Sequence, residues 1–319
     1  MSRVLVIGAT GYIGARLSYL LAKSGHSVTA LCYPKTLDDK EWLSYMEEII
    51  IGDITSEKVL NKITNQYYDI AIHLVSLDHH DSNKQPTFVN SINVLPVWNL
   101  LEMFKVKETL KKFIYFSTIH VYGKFPNKII NESERTNPIS PYGLTHLMAE
   151  NVCSMYNQTS EIRCLNARLS NSYGSPFFKE NNCWWLVVND LCNMAFNDGE
   201  IVLTSDGSAL RDFIHYQDVF NAIQKLIIES NDKREDNVFH ISSGKTHSIF
   251  QLAELVKKTY YSRFNKEIQI ELPMILKSKQ NEFKGNYIIN NQKILKLGFK
   301  QEIGLETGIN ELFDYLESK

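Results

Sequence analysis

Short apolar runs alternate with amphipathic stretches through the first half of the chain. The apolar runs predict strands over residues 4–7, 27–32, 48–51, 70–75, 113–117 and 162–169. Helical periodicity predicts helices between them, such as those over residues 15–23, 94–104 and 142–156. This alternation predicts an α/β fold, a doubly wound parallel Rossmann sheet with helices on both faces.

Three glycines, Gly8, Gly11 and Gly14, follow the first predicted strand at intervals of three residues. A glycine-rich turn between a strand and a helix lets backbone N–H groups reach a pyrophosphate at the helix N-terminus. Gly14 permits close contact between helix and strand. The segment therefore predicts a dinucleotide site whose contacts are Gly8, Gly11, Tyr12, Ile13 and Gly14.

The residues after the second and third strands bear on which dinucleotide binds. The acidic residue that normally bonds the ribose diol of NAD is missing, and the chain has Tyr33-Pro34-Lys35 there. Lys35 either meets the 2′-phosphate of NADP or is solvated. Asp53 either contacts the adenine or caps a helical segment that starts at Thr55. We expect NAD or NADP as cofactor, with NAD favoured.

The second half of the chain is less regular and richer in Asn, Asp, Lys and aromatic residues. It predicts a smaller mixed α/β substrate domain. We expect an NAD(P)-binding Rossmann domain over residues 1–170, with a return segment near 211–242, and a mainly substrate-binding domain over 171–319.

Composition and charge exclude several classes of protein. The net charge of −2 favours neither nucleic acid nor a membrane as partner. The five cysteines are scattered without a CxxC pair, so we expect no metal site and no disulfide framework. We expect a cytoplasmic protein, because scattered thiols are typical of a reducing compartment. No apolar run is long enough to span a bilayer, and a strand at the very start of the sequence predicts that there is no signal peptide.

Several ordered motifs resemble those of the extended short-chain dehydrogenase/reductase family, in particular its sugar-nucleotide epimerases and dehydratases. The matching segments are GATGYIG from Gly8, Gly52-Asp53-Ile54, Ile72-His73-Leu74-Val75, Asn93-Val94, the segment from Ser117 to Gly123 that ends in Val-Tyr-Gly, Pro141-Tyr142-Gly143, Arg168 to Gly174, and Arg211-Asp212-Phe213. The resemblance runs nearly from end to end.

The resemblance implies roles for individual residues. It implies Thr118 and Tyr142 as catalytic residues, Asp53, Ile54, Leu74 and Asn93 as further cofactor contacts, and Asn171 and Arg211 as substrate ligands near the diphosphate. Tyr142 would also lie against the cofactor. In the family, the tyrosine exchanges a proton with the sugar hydroxyl while hydride moves to or from the nicotinamide.

The chain departs from the family at the lysine four residues after the tyrosine, where it has His146. That lysine lowers the tyrosine pKa and bonds the nicotinamide ribose. A histidine, with an ordinary pKa of ~6.5, is only partly charged near neutral pH. Either His146 is a working catalytic and cofactor-binding substitute, or the site is impaired and the chain binds a cofactor without efficient turnover.

The residues after Thr118 narrow the expected reaction. The family's 4,6-dehydratases have an Asp-Glu pair there, whereas this chain has Ile119 and His120, so we disfavour dehydration. His120 is either an added acid/base at the substrate or a structural histidine. The run Asp78-His79-His80-Asp81 is a solvated loop, a sugar contact or, least expected, a metal site.

These observations predict an NAD(P)-dependent enzyme that acts at C4 of a nucleotide-activated sugar, as a 4-epimerase, 4-dehydrogenase or 4-keto reductase in surface polysaccharide or glycan precursor synthesis. The alternatives are a cofactor-binding protein with little or no catalysis and a reductase of a small non-nucleotide ketone.

We expect a homodimer, or a tetramer. Two predicted helices carry more apolar residues than a single core-facing side of each helix accounts for. In the resembled family these two helices form a four-helix bundle between subunits. These residues are Val97, Trp98 and Leu101 on one helix, and Leu147, Met148, Val152 and Met155 on the other.

Overall fold

The computed structural model describes residues 1–34, 38–125, 128–230, 234–273 and 287–318. Lys35, the candidate partner of a 2′-phosphate, lies outside the described residues.

Fourteen strands and twelve α-helices are present in the described residues. The strands are β1 (Arg3–Ile7), β2 (Ser27–Cys32), β3 (Glu48–Ile51), β4 (Tyr68–His73), β5 (Leu110–Thr118), β6 (Ile129–Ile130), β7 (Arg163–Leu169), β8 (Asn171–Tyr173), β9 (Glu200–Val202), β10 (Leu210–His215), β11 (Val238–Ile241), β12 (Thr246–Ser248), β13 (Gln269–Glu271) and β14 (Ile288–Ile289). The helices are α1 (Tyr12–Lys23), α2 (Lys40–Tyr45), α3 (Glu57–Thr64), α4 (His79–Lys84), α5 (Val89–Asn93), α6 (Leu95–Lys107), α7 (Pro141–Thr159), α8 (Val187–Asn197), α9 (Tyr216–Ile228), α10 (Ile249–Phe264), α11 (Gln292–Lys296) and α12 (Leu305–Glu317). A short 3₁₀ helix, Ile119–Tyr122, follows β5.

The chain folds into two compact units, which are described separately. The first comprises Met1–Lys124, Glu132–Leu169 and Ile223–His240, and the second comprises Phe125–Asn131, Ser170–Ala222 and the residues from Ile241 onward. The return to the first unit begins at Ile223 rather than near residue 211. The reason is that β10 pairs with β8 and β12 in a three-stranded sheet that is separate from the seven-stranded sheet.

The first unit is built on a seven-stranded sheet in the order β11-β7-β5-β4-β1-β2-β3. Across the sheet from β7 through β5, β4, β1 and β2 to β3, each strand pairs in parallel with the next. Residues 4–7 of β1 are fully buried on both faces, which explains their continuous apolar run. The predicted doubly wound α/β fold is confirmed.

Helices α6 and α7 pack together on one face of this sheet. Their buried residues include Leu100, Phe104 and Tyr156, which form one core with Phe113 of β5. Of the residues predicted to lie beyond the core stripe, Val97, Leu101 and Val152 belong to this core, so for them the prediction was wrong. Exposed apolar residues do occur on the two helices, and they are Leu95, Trp98, Val106, Leu144, Met148 and Met155.

The second unit holds three small sheets, β12-β10-β8, β13-β9 and β14-β6. Its core joins α8, α10 and α12 through residues such as Leu191, Val256 and Phe313. In either unit, no helix of the described residues is both long enough and apolar enough to cross a bilayer.

Candidate active site

The glycine turn after β1 has the geometry that the sequence predicts. Gly8 adopts a φ of +87°, a region that favours glycine. The N–H groups of Gly8 and Ala9 donate to the Leu31 carbonyl oxygen at 3.1 and 3.0 Å. A Cβ on Gly14 would lie 2.0 Å from the Gly8 carbonyl oxygen, so α1 can pack on the turn only because residue 14 is glycine. The N-terminus of α1 is therefore held beside the turn, where it suits an anionic ligand such as a pyrophosphate.

A cavity of about 510 Å³ lies at the carboxyl ends of β1 and β4. These two strands are neighbours at the point where the strand order reverses, which is where such sheets bind ligands. Its lining is Gly8, Thr10, Gly11, Leu31, Tyr33, Gly52, Asp53, Ile54, Leu74, Val75, Ser76, Leu77, Phe88 and Ile92. Glycine backbone for phosphates, apolar side chains for an adenine and one carboxylate fit the adenosine diphosphate part of NAD.

The predicted cofactor residues separate into two groups. Gly8, Gly11, Asp53, Ile54 and Leu74 line the cavity. The remaining predicted contacts, Tyr12, Ile13, Gly14, Asn93, Tyr142 and His146, are not in the described lining.

Asp53 is the single charged residue in the described lining of the cavity. Its Oδ1 accepts hydrogen bonds from the N–H and Oγ1 of Thr55, at 2.8 and 2.7 Å. These bonds hold the turn that precedes α3, whose N-cap is Ser56, so Asp53 does not cap a helix that starts at Thr55.

Asn93 is buried, and both of its polar groups bind protein atoms. Its Oδ1 accepts from the Leu77 N–H at 2.8 Å, and its Nδ2 donates to the Thr145 Oγ1 at 3.0 Å. Asn93 therefore ties the segment after β4, which lines the cavity, to α7. Its position indicates that it holds the cavity wall in place.

Tyr142 and Thr118 come together at the junction of β5 and α7. Helix α7 begins after Ser140, whose Oγ accepts from the Gly143 N–H at 3.2 Å. A Cβ on Gly143 would lie 2.6 Å from the His120 carbonyl oxygen, so a glycine there lets the first turn of α7 approach the 3₁₀ helix that follows β5. The Thr118 side chain lies close enough to the Tyr142 phenol to lower its pKa.

The surroundings of Tyr142 disfavour its ionised form. Desolvation is the main cause, and it raises the pKa of Tyr142 to about 12. The neighbouring Thr118 side chain lowers this pKa, and the negative charge of Asp78 adds to the rise. Near neutral pH the phenol is therefore protonated unless a positive charge is brought close to it.

His146 lies one helical turn after Tyr142, with the two rings 4.5 Å apart between centroids. Its Nδ1 is 2.8 Å from the Tyr115 hydroxyl, and its Nε2 has no hydrogen-bond partner among the described residues. The side chain is only 2% exposed. Burial lowers the pKa of His146 to about 3, and the nearby His120 and His73 add to this effect. His146 is thus neutral near physiological pH and does not supply the charge of the family's lysine.

Two further imidazoles lie against Tyr142. The ring of His120 is 5.8 Å from it and that of His79 is 6.1 Å away, between centroids. His79 and His120 also stack on each other at 5.9 Å. His79 is the first residue of α4, a short helix capped by the Asp78 side chain, so residues 79–81 do not form the loop that we expected.

A buried ion pair, which was not predicted as part of the site, anchors α7. Nε of Arg168 lies 2.9 Å from Oε1 of Glu150, and Nη2 lies 2.6 Å from Oε2. Glu150 also accepts a hydrogen bond from Ser117, the neighbour of Thr118. The signal was present in the sequence, since Tyr142, His146 and Glu150 are spaced four residues apart on one helix face.

The predicted substrate ligands Asn171 and Arg211 lie in the second unit. Asn171 is on β8, paired with Phe213 of β10, and its Nδ2 donates to the Asp212 carbonyl oxygen at 2.8 Å. Arg211 is partly exposed on β10, and its Nη1 donates to the Leu210 carbonyl oxygen at 2.7 Å.

Asp212 fixes the strand that carries Arg211. It is fully buried and accepts bonds from Ser170, from the N–H and Oγ of Ser243 and from the Lys245 N–H. Within the parts of the chain that the structure describes, no three Cys, His, Asp or Glu side chains are placed to hold a metal ion.

Comparison with known proteins identifies the family. The model of the NAD-dependent epimerase/dehydratase family matches residues 4–242. A Methanocaldococcus jannaschii protein, described provisionally as a UDP-glucose 4-epimerase, is 27% identical over 318 residues, which cover 99% of this chain and 98% of the relative.

Two other similarities are weaker in sequence. A trifunctional UDP-glucose 4,6-dehydratase, epimerase and reductase of Arabidopsis thaliana is 22% identical over 98% of this chain, which spans 46% of that protein. The UDP-N-acetylglucosamine 4-epimerase structure of Methanobrevibacter ruminantium is 22% identical, with a TM-score of 0.83 and coverage of 99% of this chain and 98% of that one. It shows the same fold. The family match spans well over half of the residues, and it agrees with the glycine turn, the cavity and the Thr118–Tyr142 pair: the chain belongs to the NAD-dependent epimerase/dehydratase family.

Proposed function

We propose that this protein is an NAD-dependent 4-epimerase of a UDP-sugar. The observation that carries the proposal is the proximity of Thr118 to Tyr142, which lies in the first turn of α7. A phenol and a hydroxyl held together can share one reacting oxygen, which is what proton exchange with a sugar hydroxyl requires. The relative at 27% identity supports the choice of a UDP-sugar and of C4.

Tyr142 acts as the general base in the oxidising direction. The proton of the sugar hydroxyl moves to the phenolate oxygen of Tyr142 as the C4 hydrogen leaves with its electron pair. In the reducing direction the same phenol returns the proton to the carbonyl oxygen. Thr118 hydrogen-bonds the reacting oxygen and holds it at the reach of Tyr142.

NAD, when bound, would supply an acceptor and donor of hydride. The residues that would hold its adenosine and pyrophosphate are Gly8, Gly11, Asp53, Ile54 and Leu74 of the cavity. The neutral ring of His146 has one donor nitrogen. If the Tyr115 hydroxyl donates to Nδ1, the proton is on Nε2, which would then donate to the nicotinamide ribose in place of the lysine.

The substrate would be held through its diphosphate by Arg211 and Asn171 of the second unit. A guanidinium is suited to phosphate oxygens because its N–H groups form a fork that matches them. For epimerisation, hydride must return to the opposite face of C4, so the keto sugar has to turn over within the site. A diphosphate anchor at one end of the substrate permits that rotation.

Dehydration is disfavoured by the two residues after Thr118. Elimination of water from the sugar needs an acid and a base in addition to Tyr142. Ile119 is buried and cannot transfer a proton, and His120 alone does not provide both groups. The site therefore favours hydride transfer without elimination.

The proposed function is tested with a panel of nucleotide sugars. Thermal shift against UDP-, GDP- and dTDP-sugars identifies the nucleotide, because ligands raise the melting temperature by mass action. Each UDP-sugar that binds is then incubated with NAD and the enzyme, and the C4 epimers are separated by chromatography. We expect interconversion that is lost in Tyr142→Phe. Binding of a UDP-sugar without any epimer would contradict the epimerase proposal.

A second candidate function is that of a cofactor-binding protein with little turnover. The specific observation in its favour is the neutral His146 beside a phenol whose pKa is raised to about 12. The two candidates differ in one measurement, the exchange of hydride between NAD and any UDP-sugar. Exchange that depends on Tyr142 supports the enzyme, and NAD binding with no exchange over the whole panel supports the second candidate.

We further propose that the protein is a homodimer, with a tetramer as the alternative, formed through the exposed apolar faces of α6 and α7. These faces carry Trp98, Met148 and Met155. Their burial in an interface would remove apolar area from water, which favours association. Light scattering at micromolar concentration is expected to give twice the chain mass, and a monomer there would contradict the proposal.

A further inference from the structure

Tyr142 is surrounded by imidazoles from three segments of the first unit. His79 comes from the start of α4, His120 from the 3₁₀ helix after β5 and His146 from α7. The rings of His79 and His120 stack on each other and both meet the Tyr142 ring edge-on, at interplanar angles of 85° and 75°. His146 lies on the buried side, whereas His79 is exposed and His120 partly exposed.

The charge balance around Tyr142 lacks a cation. The titratable and charged groups that face the phenol or the two stacked imidazoles are Asp78, His80, Tyr115 and His146, with His73 beyond Tyr115. Asp78 opposes ionisation of the phenol, and His146 is neutral. No lysine or arginine of the described residues contributes to the ionisation of Tyr142.

We propose that His79 and His120, in their protonated forms, supply to Tyr142 the positive charge that the family's lysine supplies. The inference rests on the proposed function, because it assigns to the two histidines a positioning role for charge at the same catalytic tyrosine. Solvent access distinguishes them from His146. Water stabilises the charged form of an imidazole, whereas burial disfavours it.

The expected size of the effect follows from the distances. An opposite charge within about 4–6 Å lowers the pKa of an acid by about one to three units. The ring centroids of His120 and His79 lie 5.8 and 6.1 Å from that of Tyr142, so we take the lower end of this effect. We expect up to about one unit from each protonated imidazole, or up to about tenfold more phenolate, and less from the second because the stacked rings repel each other when both are charged.

The first test measures the coupling without any substrate. A polyfluorinated tyrosine that ionises in the same pH range as imidazole is incorporated at position 142, and its titration is followed by ¹⁹F NMR. In His79→Gln and His120→Gln its pKa should rise by up to about one unit each. His80→Gln is the matched control, because His80 is exposed, lies next to His79 and meets the His79 ring edge-on. Equal pKa values in the native protein and both variants would overturn the proposal.

The second test uses the pH dependence of hydride transfer. In the native enzyme, the logarithm of the rate should rise with pH at a slope below one where the imidazoles lose their protons. In the double variant His79→Gln/His120→Gln the slope should be one, with a rate up to about 100-fold lower at pH 6 and equal to the native rate at pH 9. A structural role would lower the rate equally at both pH values, and that result would overturn the proposal.

The two tests separate the inference from the proposed function. Coupling in the ¹⁹F titration without turnover of any UDP-sugar would contradict the proposed function while leaving the coupling established. Turnover of a UDP-sugar without coupling would contradict the inference alone. The variant His120→Lys should keep the low-pH rate that His120→Gln loses, because a lysine supplies a cation at the same position.

Discussion

The clearest perturbation of the site is to restore the family's lysine by His146→Lys. The Tyr142 and His146 rings lie 4.5 Å apart between centroids, and we take ~5 Å as the separation between a lysine ammonium at position 146 and the phenol oxygen. At an effective dielectric constant of ~20, two unit charges at this distance interact by about 3 kcal/mol. This corresponds to about two pKa units, so the Tyr142 pKa would fall from about 12 to ~10.

The burial of position 146 limits how far a lysine there can speed proton transfer. Position 146 is buried, and desolvation lowers the pKa of a buried lysine by up to ~3–5 units. The new lysine would be charged near pH 7 mainly when Tyr142 is ionised. We therefore expect proton transfer at pH 7 that is at least as fast as in the native enzyme and at most about 100-fold faster.

The assay is single-turnover reduction of NAD by the UDP-sugar, followed by absorbance from pH 5 to 9. His146→Gln is the control, because an amide keeps a hydrogen-bonding group toward Tyr115 without a charge. It should lower the rate by a similar factor at every pH, since His146 is already neutral over this range. A change in the shape of the profile in His146→Gln, or slower transfer in a correctly folded His146→Lys, would refute this account of the missing charge.

Three further predictions concern other parts of the molecule. Arg211→Ala should weaken UDP-sugar binding by ~2 kcal/mol, about 30-fold, and leave NAD binding unchanged in calorimetry. Equal losses for both ligands would place Arg211 away from the substrate. Glu150→Gln should destabilise the first unit by ~3–5 kcal/mol in urea unfolding, because it leaves the buried Arg168 charge without its partner. A loss below ~1 kcal/mol would show that water or another group compensates the charge. His73→Phe should make the stability of the fold less sensitive to acid. Burial lowers the pKa of His73 to about 4, from ~6.5 in the unfolded chain. The unfolded state therefore binds more protons between these two values, and the free energy of unfolding falls as the pH falls through them. The variant should recover about 3 kcal/mol at pH 4, and a pH dependence of stability identical to that of the native protein would contradict the assignment.

The fold was predictable because its signals are local. Strands β2 and β3 have the bounds that their apolar runs predict, and Gly8 adopts the positive φ that its place in the motif requires. The family resemblance also named Thr118 and Tyr142 as site residues, and the structure places their side chains close together. Three apolar positions on α6 and α7 were misassigned because a helix between a sheet and another helix buries more than one stripe, and periodicity alone does not show which neighbours a helix has.

The electrostatics of the site could not be predicted in the same way. The type of residue at position 146 suggests a group that titrates near neutral pH, but the pKa of His146 is set by burial among Tyr115, Tyr142 and its other neighbours. The contacts of His79 and His120 with Tyr142 join residues that are 22 to 63 positions apart in sequence. Such contacts depend on the packing of three separate segments, and no local pattern contains them.

The surroundings of α7 explain why histidine can replace the family's lysine without disturbing the packing of the helix. They also explain why the replacement changes the chemistry of Tyr142. Its buried face carries Tyr142, His146 and Glu150 in successive turns, and Glu150 is neutralised by Arg168 of β7. A lysine at position 146 would add one unpaired positive charge to this face, directed at the phenol. A neutral imidazole removes that charge and its desolvation cost, so the helix packs at least as well. The phenol, however, then depends on charges outside the helix, and the two solvent-facing imidazoles are the groups placed to provide them. Catalysis in this chain should therefore respond to pH in a range where a lysine-containing relative would not.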